Sequence, residues 1–339
     1  MADPTSLPLT RASVLSAHTL ITPFIHRTPV LTSTYLSQLA STPRAAAELE
    51  GTPWAGQTPA NPKIRFWFKC ENFQKVGAFK ARGAFHALLR LVESEGWEEG
   101  GGRERGVVTH SSGNHAQAVS LASATLKIPS HIVMPRISTP AKIAATQSYG
   151  ARVLFSGSTA PEREAVVAEV ITETGATLIP PYDHPHVMLG QGTAGLELQE
   201  QGTGIVVFGA EPEFEGADDC KRGLAAGKRI EAVKSLTVAD GLRTPVGAWP
   251  WKVISDKKLV RGVYSVTEEQ IKATLRLVLE RMKVVVEPSS VVGLAVALWN
   301  EDFRSVVEAE QGREEWDLGV VFTGGNVNLE GLGKLFEAK

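Results

Sequence analysis

The chain has 339 residues, 35 Lys and Arg against 37 Asp and Glu, a net charge of −2, and 43% hydrophobic residues. That balance offers no basic surface for nucleic acid or an anionic membrane, and the length calls for two lobes rather than one simple core. Two cysteines cannot build a disulfide framework, and "MADPTSLPLTRASVL" carries no apolar run of signal-peptide or membrane-spanning length, so the expectation is a cytoplasmic protein in a reducing compartment.

Along the chain, 41–62 is rich in Pro, Ala and Gly, and 96–106 is glycine and charge; both read as mobile surface loops. The short β-branched runs "GVVTH" (106–110), "HIVMP" (131–135), "ARVLFSG" (151–157), "GIVVFGAEP" (204–212), "KVVVEP" (283–288) and "LGVVFTGG" (318–325) predict buried parallel strands. Helical patterns lie between them, such as "NHAQAVSLASATL" and "EEQIKATLRLVLERM"; in the second, Ile271, Leu275, Val278 and Met282 share one face. Alternating strand and helix predicts an α/β fold, with ligands at the C-terminal ends of the strands. A Rossmann dehydrogenase shares this alternation, but no G-x-G-x-x-G follows an early strand.

Three strands run into polar or glycine-rich turns. After "GVVTH" come Ser111, Ser112, Gly113, Asn114 and His115. Free backbone amides at a helix start, two hydroxyls and an amide suit a carboxylate or phosphate, although a plain helix cap needs some of the same residues. The acidic stretch "AEPEFEGADDC" (210–220) has oxygens enough for Mg²⁺ or Ca²⁺, or is a solvated loop; it lacks EF-hand spacing. "VVFTGGNVN" (320–328) brings Thr323 and Asn326 to a turn. Lys80, in "ENFQKVGAFKARGA" (71–84), follows the apolar Phe79. A lysine on a helix is ordinarily a solvated charge; partial burial turns it into an amine able to condense with an aldehyde.

In this order, "FKCENFQKVGAFKARGAFHAL", "THSSGNHAQAV", "GQGTAGLEL", "AEPEFEGADDC", "ERMKVVVEPSSVVGLAVAL" and "FTGGNVNL" resemble the fold-type II pyridoxal-phosphate enzymes, and among them the serine racemase and serine/threonine dehydratase family. The resemblance covers nearly the whole chain. It implies a tryptophan synthase beta-like fold of two open twisted parallel-sheet domains. The large cofactor domain would take 1–105 and 183–339, the small one 106–182. It further implies a PLP-dependent racemase or ammonia-lyase acting on L-serine, L-threonine or D-serine, in a homodimer.

Carried over residue by residue, Lys80 is the Schiff-base lysine, Phe79 packs beside the cofactor ring, Asn114 bonds its O3′, and Thr323 faces the pyridine nitrogen. Ser111, Ser112, Gly113, Asn114 and His115 grip the substrate carboxylate. Racemisation needs a base on each face of Cα, and Lys80 and Ser112 match that pair; dehydration needs only the lysine face. Glu211, the Ala217 carbonyl and Asp219 match the family's divalent-cation site. Ser33, Thr34, Tyr35, Lys75, Gln117, Tyr149 and Asn326 fall at positions of its ATP effector site.

One departure stands out. The family's glycine run, which cradles the cofactor phosphate, is missing; "GLELQEQ" passes through "GTG" straight into "IVVFGAEP", as if a strand, a glycine loop and a helix had been removed. Gly202 and Gly204 are the only local substitutes in that stretch. The alternative to an active racemase or dehydratase is therefore a catalytically impaired splice form or paralogue.

Overall fold

A computed structural model describes residues 9–111, 113–200, 206–311 and 315–337. The chain divides into two compact units: Met1–Arg27 with Phe73–Glu197, and Thr28–Asn72 with Leu198–Lys339. The expected small domain, 106–182, falls inside the first unit. That unit also takes 73–105 and 183–197, which the sequence assigns to the large domain.

In the first unit, helix α1 (Arg11–Ile21) precedes α3 (Lys80–Val92) and the short α4 (Gly102–Arg105). Strands β3 (Val107–His110), β4 (Ser130–Pro135), β5 (Arg152–Ser156) and β6 (Thr177–Leu178) then form one sheet in the order β5-β4-β3-β6, parallel throughout. Helices α5 (Asn114–Leu126), α6 (Pro140–Gln147) and α7 (Ala160–Thr174) each follow a strand, and α8 (Pro185–Gln199) closes the unit. Val107 and Val108 are fully buried, as expected of a central parallel strand. Ala116, Ala118 and Ala122 keep α5 slim, so α3 packs directly on it. Helix α8 crosses α3 just as closely: a Cβ at Gly190 would stand 2.5 Å from the Arg82 carbonyl oxygen and 2.8 Å from the Gly83 Cα. Behind this crossing, Arg82 pairs with Glu197 at 2.8 Å with both side chains buried.

The second unit holds two sheets. Strands β1 (Val30–Leu31), β2 (Ile64–Cys70) and β9 (Trp316–Phe322) form one, in the order β1-β2-β9; β7 (Phe208–Pro212) and β8 (Gly262–Val266) pair in the other. Ile64, Phe66, Phe68 and Cys70 alternate inward along β2, and Phe68 stacks on Phe322 at 4.8 Å. Helix α2 (Thr34–Ala40) covers part of the outer edge of β2. Ser37 Oγ accepts the Phe66 N–H at 3.0 Å and Ser41 Oγ the Ile64 N–H at 2.9 Å. Helix α9 (Asp219–Ala226) follows β7, α10 (Ala248–Ile254) precedes β8, and α11 (Glu268–Leu277), with a Thr267–Gln270 capping box, follows it. The apolar α12 (Val292–Trp299) packs against β7, β8 and β9, and α13 (Glu301–Gln311) comes next.

Three expectations change. "KVVVEP" joins no sheet and begins with Lys283 in the left-handed region; beyond Val284 and Val286, which are buried, it is held by Glu287 N–H donating to Gly324 O at 3.0 Å. The strand expected at 204–212 is described only from Phe208, and Val206 and Val207 are each 46% exposed. The two expected mobile loops are tied down. Trp54 is buried with its Nε1 donating to Asp302 at 3.0 Å, and Trp97 Nε1 donates to Thr177 Oγ1 at 3.0 Å.

Candidate active site

Lys80 is the first residue of α3, with Phe79 at the N-cap. A cation at the start of a helix opposes the helix dipole, so this position goes against local preference and needs a compensating acceptor. The structure supplies one: Lys80 Nζ donates to the Pro181 carbonyl oxygen at 2.8 Å. The same amine stands 5.1 Å from the centre of the Phe79 ring, and Lys80 is half-buried. It is thus an amine held in an apolar setting, not a solvated charge.

The second component comes from the turn between β3 and α5. Gly113 is the N-cap, at φ −145° and ψ −133°, and Asn114 opens a helix of 13 residues. A Cβ at Gly113 would meet nothing closer than Lys142 Nζ at 3.9 Å, so the backbone faces open space with a cation beside it. This suits a carboxylate at the helix start. Ser111 Oγ accepts the Gly113 N–H at 3.3 Å and shapes the turn. Ser112, the expected second base, lies outside the described residues.

His115 does something different from the expected carboxylate grip. Its side chain is buried, and Nε2 bonds to the Ile179 carbonyl at 3.2 Å. Burial first, and then the nearby Lys80 charge, push its pKa down to about 3. The ring is neutral and carries its hydrogen on Nε2, because a carbonyl can only accept. Nδ1 is then a bare acceptor, buried without a hydrogen-bond partner. Only the backbone N–H of His115 remains suited to an anion.

In the second unit, Thr323 Oγ1 lies 3.0 Å from Ser290 Oγ, which also donates to Gly324 O at 2.7 Å. Glu211, Ala217 and Asp219 line one cavity of about 380 Å³. Both Glu211 oxygens are engaged by backbone donors, Cys220 N–H at 3.0 Å and Lys221 N–H at 2.9 Å, and Asp219 Oδ2 accepts Val246 N–H at 2.9 Å. Burial raises Glu211 to about 7 and also raises Asp219. No group of three or more His, Cys, Asp or Glu suited to a metal occurs among the described residues.

The positions matched to ATP are divided. Ser33, Thr34, Tyr35 and Asn326 belong to the second unit, and Lys75, Gln117 and Tyr149 to the first. Ser33 caps α2 through Leu36 N–H, and Tyr35 lies under Arg281 at 4.5 Å. Lys75 lies over Phe85 at 5.8 Å, and Gln117 is buried. Pro181, Thr109 and Lys142 are residues the sequence reading missed. Lys142 lies two residues past the Pro140 that starts α6, a place that could have drawn attention; nothing local marks a proline carbonyl.

The family model for pyridoxal-phosphate dependent enzymes matches residues 21–207 and 198–324. The chain belongs to that family. Serine racemase of Arabidopsis thaliana is 36% identical, with 96% of each chain covered. The L-threo-3-hydroxyaspartate ammonia-lyase of a Pseudomonas species is 34% identical over 87% of this chain and 97% of its own. Among solved structures, maize serine racemase superposes with a TM-score of 0.80 at 35% identity, covering 95% of each chain.

The family match comes in two stretches that overlap at 198–207, the place where the sequence reading expects the departure from the family pattern. The Arabidopsis alignment runs over 353 residues, more than the 339 of this chain, so the relative has positions without a counterpart here.

The family's cofactor is pyridoxal phosphate. The residues present fit its aldehyde and ring end: a half-buried amine beside an aromatic face, Asn114 at an open helix start, and an unpartnered imidazole nitrogen nearby. At the phosphate end, Gly202 and Gly204 lie outside the described residues. No described helix is long and apolar enough to cross a membrane.

Proposed function

We propose that the chain is a serine/threonine racemase or ammonia-lyase whose reactive amine is Lys80. The observation that carries the reading is the Lys80 amine, half-buried against Phe79 and anchored on the Pro181 carbonyl. Held at this site, pyridoxal phosphate would supply an electron sink for charge that develops at the substrate's Cα. The chain's residues do the rest. The Lys80 amine takes and returns the Cα proton from one face. Gly113, Asn114 and His115 offer backbone donors to the substrate carboxylate, with Lys142 adding positive charge beside them. Asn114 holds the ring oxygen, Thr323 is the neutral hydroxyl for the ring nitrogen, and Ser112 serves the second face for racemisation.

Several finer points rest on the resemblance. These are a cytoplasmic homodimer, Mg²⁺ or Ca²⁺ at Glu211, Ala217 and Asp219, and ATP as an effector at Ser33, Thr34, Tyr35, Lys75, Gln117, Tyr149 and Asn326. The test is a product assay with added cofactor. L-serine should yield pyruvate, D-serine or both, and L-threonine 2-oxobutyrate. If neither substrate gives any of these products at any cofactor concentration, the reading fails.

A further inference from the structure

The bond from Lys80 to Pro181 is braced from behind. Ile179, two residues earlier, donates its N–H to the Val108 carbonyl at 2.8 Å. Its own carbonyl takes two bonds, from Thr109 Oγ1 at 2.6 Å and from His115 Nε2 at 3.2 Å. Thr109 is fully buried on β3, so its hydroxyl bonds inside the protein and not to solvent. After Ile179 come Pro180 and Pro181, which have fixed φ and no N–H. This stretch therefore offers Lys80 carbonyl oxygens with little freedom to turn away.

We propose that the Pro181 carbonyl is the resting acceptor of the Lys80 amine and that Thr109 is the positioning residue that keeps it in place. The proposal rests on the reading of Lys80 as the reactive amine. A carbonyl oxygen only accepts, and an ammonium only donates, so their bond favours the protonated amine. It also offsets the unfavourable start-of-helix position of this cation. Whenever Lys80 carries no covalent partner, the Pro181 carbonyl receives its amine and favours the protonated form. Thr109 acts through the Ile179 carbonyl, two residues away from the acceptor.

The test uses cofactor-free full-length protein, trace-labelled with acetic anhydride from neutral to alkaline pH, with each lysine followed by peptide mass spectrometry. Only unprotonated amines react. In Thr109→Val, Lys80 should label roughly two- to tenfold faster than in wild type and from a lower pH. Lys127, an exposed lysine of the same unit, should not change. Thr109→Ser, which keeps the hydroxyl, should match wild type. An unchanged Lys80 in folded Thr109→Val overturns the proposal, and so does an equal rise at Lys80 and Lys127, which reports general loosening. Should Thr109→Val not fold, the same comparison is read on Thr109→Ala, which also removes the hydroxyl that bonds Ile179 O. A failure of the Lys80 reading itself is separate: it shows as cofactor fixed to another lysine, and leaves the labelling comparison intact.

Discussion

The two units solve the same folding problem with unequal success. In the first, four parallel strands form one sheet, and Val107, Val108, Ile132, Val133 and Met134 on its two central strands are buried. In the second, β7 and β8 form a sheet of two, and Phe208, Ala210, Val263 and Tyr264 are only half-buried. A cavity of about 380 Å³ lies against β7. Parallel strands are stable when both faces are covered and the ladder continues on each side. Among the described residues, the strand pair of the second unit follows 198–207, the point where the two stretches of the family match overlap. The lesson is one of location: the Lys80 amine, its acceptor and the open start of α5 all sit in the unit with the four-stranded sheet.

Lys80→Ala should show the largest effect. Product formation should fall by roughly a hundred- to ten-thousandfold or more, while the thermal midpoint moves little because Lys80 is only half-buried. Residual turnover near wild type would remove the first unit from the chemistry. Next comes Arg82→Ala, which takes from the buried Glu197 carboxylate its guanidinium partner, leaving the His18 ring at 3.0 Å. Urea unfolding should lose about 3–5 kcal/mol, and a loss well below that would mean the unit is looser than its packing suggests.

The two units should also respond oppositely to pH. His86, His184 and His186 are held below the ordinary histidine value by burial, His186 at about 4. The unfolded chain takes up these protons first, so the first unit keeps full stability above roughly pH 6.5 and weakens as the pH falls towards 4. Glu211 is raised to about 7 by burial, so its stabilising contribution is complete in acid and is lost as the pH rises through about 7. Hydrogen exchange read unit by unit should show protection lost as the pH falls below about 6.5 in the first, and as it rises from about 4.5 to about 7 in the second. Glu211→Gln should abolish the loss on rising pH in the second unit, and parallel loss in both units would contradict the assignment. The smallest effect belongs to Asp317→Asn, which breaks the exposed pair with Arg65 in the second unit. No shift in the thermal midpoint is expected, and a clear drop would mean that this sheet leans on its surface charges.

Much of this was readable from residue order. The β-branched runs at 106–110, 131–135 and 151–157 became β3, β4 and β5 because each is short, apolar and followed by a helix pattern. Gly113 and Asn114 stand at a helix start, as their types suggest. "KVVVEP" misled because its composition is that of a strand, whereas pairing depends on a neighbour that the sequence does not bring alongside. Strand β8 was passed over because Gly262 and Ser265 dilute its apolar pattern. The proline-rich 41–62 looked loose, and Trp54 anchors it through a contact 248 residues away in sequence. The turn of His115 toward Ile179 was out of reach for the same reason: the carbonyl that captures it lies 64 residues on.

The central claim is that the amine of Lys80 is the group that takes the cofactor. Borohydride reduction of the cofactor-treated protein, followed by peptide mass mapping, tests it directly. The account predicts a pyridoxyl group on the peptide containing Lys80 and its disappearance in Lys80→Ala. A pyridoxyl group fixed to a different lysine, or to none, would contradict it.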